Sequence, residues 1–211
     1  MLSTAKGKGQ ILLALFFTST FIPSLLTFSP MPATHKNLVL IGPMGSGKSS
    51  IGQALAASLQ FSFTDTDSLI TTSLQSPITQ IFAEHGEPFF RKTESATLAS
   101  LSPISHSVIS TGGGIILLPE NRPLLQNLGF VIFLTASDDT LFSRVSRNQN
   151  RPLLQTENPR ATMAAITAAR LPLYSATAHF TLDTTSLSRT RTLSILLDEA
   201  QRALALTPPN P

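Results

Sequence analysis

The chain of 211 residues has no cysteine, no tryptophan and a single tyrosine. Without a thiol there can be no disulfide, zinc finger or cysteine nucleophile, so any chemistry here must use oxygen and nitrogen groups. The absence also fits a reducing compartment. Lys and Arg form no dense run. Lys6, Lys8 and Lys36 stand in the first 36 residues without an acid, which leaves 12 basic and 12 acidic side chains in residues 37–211. A neutral body with few aromatics argues against a nucleic-acid-binding surface. Long apolar runs are scarce as well. The one candidate, Ile11 to Phe28, is about the minimum for a membrane span and is interrupted by Thr18, Ser19, Thr20 and Pro23. The length fits one domain around one core.

What is present is organised around Gly42-Pro43-Met44-Gly45-Ser46-Gly47-Lys48-Ser49, which fits the P-loop pattern G-x-x-x-x-G-K-[ST] at every fixed position. Leu38-Val39-Leu40-Ile41 before it reads as a buried parallel strand, and Ser50 to Leu59 after it as a helix. That is the context the motif requires. Gly45, Ser46, Gly47, Lys48, Ser49 and Ser50 are therefore expected to bind ATP. Backbone N–H groups and the helix N-terminus cradle the phosphates, Lys48 reaches the β- and γ-phosphates, and the Ser49 hydroxyl ligates Mg²⁺. No Asn-Lys-x-Asp motif follows, so a switch GTPase is disfavoured.

The rest of the chain alternates strands and helices. Phe61 to Thr64 is a short strand followed at once by Asp65-Thr66-Asp67, two carboxylates at the strand end where open α/β sheets bind ligands. Ser68 to Leu74 reads as a helix. A second begins at Ser76-Pro77, with serine as cap, and ends at His85-Gly86; a third runs from Glu87-Pro88 to about Leu101. His106 to Thr111 is a strand running into Gly112-Gly113-Gly114, which bares backbone to a ligand. Further helices are expected at Pro119–Leu128, Ser137–Val145, Pro159–Ser175 and Leu187–Leu206, and strands at Phe130–Leu134 and His179–Leu182. Ser146 to Pro152 is polar and reads as a flap. His85, His106 and His179 are assigned to structure. The pattern predicts a mostly parallel, three-layer α/β/α sheet.

Six motifs in this order resemble shikimate kinase over roughly residues 37–202. They are the P-loop, Asp65-Thr66-Asp67, Gly86-Glu87-Pro88-Phe89-Phe90-Arg91-Lys92-Thr93-Glu94, the triple glycine, Arg151-Pro152-Leu153-Leu154 and Arg170-Leu171-Pro172-Leu173-Tyr174. The resemblance implies a five-stranded parallel sheet of nucleoside-monophosphate-kinase type with a lid. It also implies ATP-dependent phosphorylation of the 3-hydroxyl of shikimate, with Mg²⁺. On this resemblance Asp67 binds the attacking hydroxyl and accepts its proton, while Lys48 and Arg151 neutralise charge on the transferring group. Arg91, Arg170, Gly113 and Gly114 hold the substrate, Glu94 orients Arg91, and Phe82 and Phe90 wall the pocket. Asp65 holds Mg²⁺ through water with Ser49 as direct ligand, and Arg144 and Arg151 join the ATP contacts. Asp183 to Ser186, where the family often carries Asn or Arg near adenine, is only loosely similar.

Two alternatives stand beside this reading: another small-molecule kinase of the fold, such as a gluconate kinase, and a catalytically silent ligand-binding relative. Lys48, Asp67 and Arg151 are all retained, against the second; the Arg91/Arg170 pair beside the triple glycine argues against the first. Residues 1–36 are expected to be an extension outside the 37–206 domain, with Met31 as the preferred start, a membrane anchor second and export last, since an ATP-using domain finds no ATP outside the cytosol. A cytoplasmic monomer is expected, with no nucleic-acid partner and no membrane association unless that extension is genuine.

Overall fold

The computed structural model describes residues 35–146 and 156–206. Five strands form one parallel sheet in the order β2-β3-β1-β4-β5. They are β1 (Leu38–Ile41), β2 (Ser62–Asp65), β3 (Ser107–Ser110), β4 (Phe130–Thr135) and β5 (Phe180–Asp183). The helices are α1 (Lys48–Leu59), α2 (Thr66–Leu74), α3 (Ile78–Ser100), α4 (Asn121–Leu128), α5 (Asp138–Val145), α6 (Pro159–Thr177) and α7 (Arg189–Ala203). The expected architecture is therefore observed.

Side chains alternate across a strand, so a strand covered on both sides must be apolar throughout. β1 does this. Leu38 and Leu40 face one layer, where Ile51 and Leu55 of α1 and Leu196 of α7 pack. Val39 and Ile41 face the other, with Leu98 of α3, Leu125 of α4 and Tyr174 of α6. β3 and β4 repeat the split, Val108 and Ile132 on the first side, Ile109 and Val131 on the second. The entry to β1 is pinned by Asn37, whose Nδ2 donates to the carbonyls of Ile104 and Leu128 while its Oδ1 accepts from the Ser107 N–H.

Strand order positions the site. Because β1 pairs with β3 (Leu40↔Ser110) and β3 with β2 (Asp65↔Ser110), three sequence-distant segments emerge side by side at the carboxyl edge. They are the P-loop, Asp65 to Asp67 and the triple glycine. The chain leaves β1 toward β2, while β3 connects across β1 to β4. The crevice at the ends of β1 and β3 is thus a topological switch point, where such sheets bind ligands.

Several boundaries differ from the sequence expectation, each for a local reason. α3 is one helical run interrupted at Gly86, whose backbone sits at φ 77°, ψ 171°, so the two expected helices meet end to end at that residue. Ser76 does not cap. Pro77 is extended and occupies the cap position, which leaves the Ser76 hydroxyl one residue outside the helix and without a partner. α2 begins earlier than expected because Asp65, the last strand residue, caps it by accepting from the Ser68 N–H; this puts Asp67 in the first helical turn. Ser137 caps α5 as expected. The α2–α3 region has its own small core, Ile70, Ile81 and Phe90, with Ile78 and Phe82 packed against it. Three buried side chains at about 1.5–3 kcal/mol each make it far more weakly anchored than the sheet.

Candidate active site

Two adjoining cavities open at the carboxyl edge. Met44, Asp67 and Gly113 line both, so they stand at the junction.

The first cavity belongs to the P-loop. Gly45 (φ 80°) and Gly47 (φ 93°) hold left-handed conformations that side-chain-bearing residues resist, and Gly47 heads α1 with no side-chain cap. The helix N-terminus is thereby left open to an anion. Lys48 is buried, and its Nζ donates to the carbonyls of Gly42 (2.8 Å) and Pro43 (2.9 Å), which holds the ammonium over the loop. Ser49 Oγ donates to Asp65 Oδ2 at 2.8 Å. Ser46 is buried, while Ser50 lines the cavity beside Ser49. Arg144 reaches over from α5, its guanidinium donating to the Gly45 carbonyl (3.4 Å) and to Thr184 (3.2 Å to Oγ1, 3.3 Å to the carbonyl). A third hollow continues past Arg144, between Ser50, Thr184, Leu187 and Arg189.

The second cavity gathers Asp67, Arg91, Glu94, Gly113, Gly114 and Arg170 over a floor that includes Phe82 and Phe90. Arg91 is fastened on three N–H groups. Nε and Nη2 donate to Glu87 Oε1 (3.0 and 2.8 Å), and Nη1 donates to Glu94 Oε2 (2.5 Å). The guanidinium also lies 5.9 and 5.3 Å from the ring centres of Phe82 and Phe90, themselves in contact at 4.6 Å. Glu87 is four residues before Arg91 and Glu94 three after, so one helix face aims the side chain. Burial tends to lower the arginine's pKa, but its two carboxylates outweigh this and raise it. Glu94 is fully enclosed, and burial pushes its carboxyl up to about 7 against the opposing pull of Arg91.

Gly112 and Gly114 stand where no side chain would fit. A Cβ on Gly114 would stand 2.1 Å from Arg91 Nη1, and one on Gly112 2.6 Å from Asp67 Oδ1. Gly113 is fixed through its carbonyl, which accepts from Arg170 Nη1 (3.1 Å) and from the Tyr174 hydroxyl (2.5 Å). Tyr174 is wholly buried, stacked on Phe133, with its hydroxyl pKa raised by burial to about 12. Its contribution was not anticipated, although its place four residues after Arg170 sets both on one face of α6. Thr66 was also missed; its Oγ1 accepts from the Gly112 N–H at 3.2 Å.

The structure thus brings together Lys48, Ser49, Asp65, Asp67, Arg91, Gly113, Gly114, Arg144 and Arg170 along one edge. Arg151 and most of the expected flap lie outside the described residues. His179 is structural as expected, its Nδ1 accepting from the Val131 N–H at 2.9 Å.

The family model described as shikimate kinase matches residues 44–201. The chain belongs to the shikimate kinase family. A curated shikimate kinase of Thioalkalivibrio sulfidiphilus is 47% identical over 148 residues, covering 70% of this chain and 78% of that protein. One from Actinobacillus pleuropneumoniae is 45% identical over 152 residues, covering 72% and 88%. Among solved structures, the shikimate kinase of Acinetobacter baumannii in complex with shikimate superposes with a TM-score of 0.76 at 35% identity, covering 83% of this chain and 97% of that one. The chain is accordingly a kinase.

Proposed function

We propose that the chain transfers the γ-phosphoryl group of ATP to the 3-hydroxyl of shikimate, giving shikimate 3-phosphate and ADP. The observation that carries this reading is the second cavity, where Arg91 and Arg170 converge beside the triple glycine while Asp67 stands at the junction with the P-loop. Shikimate is a ring bearing one carboxylate and three hydroxyls. Forked guanidinium donors suit the carboxylate, a carboxylate suits the hydroxyls, and the Phe82/Phe90 floor suits the ring.

The reaction follows from those positions. With the triphosphate in the P-loop and the acceptor against Asp67, the nucleoside must run away from the acceptor, toward the hollow past Arg144. Asp67 accepts the proton of the attacking hydroxyl as its oxygen bonds to the γ-phosphorus and the bond to the β–γ bridging oxygen breaks; ADP leaves with those electrons. Lys48 and, as proposed from the motif, Arg151 balance the charge on the moving group. Such transfers depend mostly on alignment and electrostatics, and Lys48, buried beside the loop carbonyls of Gly42 and Pro43, is the cation nearest at hand in the loop itself.

Mg²⁺ fits the donors present. No cluster of three or more acidic or histidine ligands occurs among the described residues, and Mg²⁺ characteristically takes one or two protein oxygens and completes its shell with water and phosphate. Ser49 Oγ and Asp65 Oδ2, 2.8 Å apart beside the cradle, are such a pair. When bound, the ion neutralises phosphate charge.

The domain reading of 37–206 is proposed on the same footing, since β1 and every site residue lie after Met31. We place the enzyme in the cytoplasm, where its ATP is, as a monomer; no helix among the described residues is long and apolar enough to cross a membrane. The deciding experiment couples ADP release to a reporter, with shikimate and gluconate as rival acceptors. ADP release with shikimate alone is expected. Equal turnover of gluconate, or none with shikimate, would overturn the assignment.

A further inference from the structure

Glu94 is the only buried carboxylate among the described residues, and it borders the acceptor cavity. One oxygen, Oε2, accepts from Arg91. The other, Oε1, is buried and has no hydrogen-bond partner. It lies 2.7 Å from the point that a Cβ on Gly112 would occupy, and Asp67 Oδ1 lies 2.6 Å from the same point, so two carboxylates flank one glycine.

The charges around Glu94 come from three helices. α3 presents Arg91 with its second partner Glu87, α2 presents Asp67, and α6 presents Arg170 and the neutral Tyr174 hydroxyl. The loop after β3 adds only glycine backbone, and Lys48 lies in the adjoining phosphate cavity with Asp67. Two guanidinium groups therefore already face three carboxylates before a carboxylate-bearing substrate arrives.

We infer that binding of shikimate draws a proton onto Oε1 of Glu94, so that the cavity takes up its anionic substrate together with one proton. The inference rests on the proposed acceptor. A substrate carboxylate at Arg91 competes with Glu94 for the same guanidinium and adds negative charge nearby. Both effects favour the protonated carboxyl, and burial has already brought Glu94 to the edge of titration near neutrality. The proton comes from solvent, and no bond other than O–H forms. Glu94 is then a recognition residue as well as the group that positions Arg91. Shikimate affinity should be flat below the Glu94 pKa and weaken by up to tenfold per pH unit above it.

Calorimetric titration of the whole chain with shikimate alone, at about pH 7.5 in PIPES, HEPES and Tris, measures the protons exchanged. The wild type should take up most of one proton and Glu94→Gln almost none. A zero slope in the wild type or an unchanged slope in Glu94→Gln would overturn the inference. Infrared difference spectra of the wild type are independent of whether any variant folds. Shikimate should add a protonated-carboxyl band, and its absence would also refute the uptake. Saturable binding without proton uptake would sink this inference alone, whereas no binding at all would sink the assigned acceptor with it.

Discussion

Replacing Gly114 with alanine would put a methyl group 2.1 Å from Arg91 Nη1, 2.4 Å from Cζ and 2.6 Å from Nη2. Ordinary van der Waals contact begins near 3.4 Å, so the guanidinium would have to retreat by roughly 1 Å. A long side chain can often do this cheaply, but Arg91 is held by Glu87 on one edge and Glu94 on the other. Its retreat would break at least one of those bonds and withdraw the N–H groups proposed to meet the substrate carboxylate. A charge-assisted hydrogen bond is worth about 1.5–3 kcal/mol, so shikimate affinity should fall roughly 10- to 150-fold. Folding should suffer less than removal of a buried partner normally implies, because Glu94 can escape an unpaired charge by taking a proton. Nucleotide affinity should be unchanged, since the P-loop is untouched. Calorimetry with shikimate and with an ATP analogue separates the two. Wild-type shikimate affinity in Gly114→Ala, or an equal loss for both ligands, would show that the glycine is not there to admit Arg91.

Lys48→Met should lower kcat by about 10²–10³, the usual loss for one preorganised charge donor, and Asp67→Asn by about 10²–10⁴, with folding preserved by circular dichroism. Near-normal turnover in either folded variant would refute that residue's part in the transfer. Ser49→Ala should raise the Mg²⁺ concentration for half-maximal rate by about tenfold, the equivalent of one lost hydrogen bond or ligand contact; a metal titration after chelation checks it. His179 accepts from the Val131 N–H and stacks on Phe130, so it must be neutral in the folded state, and burial lowers its pKa. That stability is fully present above the unfolded value of 6.5 and is lost as pH falls through the lower folded value. Denaturation midpoints measured across that window should drop more steeply in the wild type than in His179→Gln.

The kind of fold and most of the chemistry could be read without coordinates because their signals are local. Leu38 to Ile41 is apolar on both alternating faces, which only a strand covered on both sides needs. The P-loop spacing reflects what a backbone must do to surround phosphate, and that is decided within eight residues. Arg91, Glu94 and Arg170 were found through the motifs around them. Where expectations slipped, the deciding contact was a neighbour's. Ser76 looked like a cap, but Pro77 extends past it, and Asp65 ended a strand while capping the next helix.

What tertiary structure alone decided is how these local pieces share charge and space. Gly112-Gly113-Gly114 reads by sequence as backbone bared to a ligand, with nothing to say that the chain's own side chains fill the space beside it. Strand order sets β3 against β1 and β2, and only then does Arg91 lie where a Gly114 side chain would be. Tyr174 is one more aromatic in a helical sequence until α6 packs on the sheet and its hydroxyl meets the Gly113 carbonyl. The sequence places Glu94 one turn after Arg91 but does not say how deeply it is buried. Its enclosure between α2, α3 and α6 sets its proton affinity, because desolvation and the balance of surrounding charges are properties of the packed whole and of no single segment.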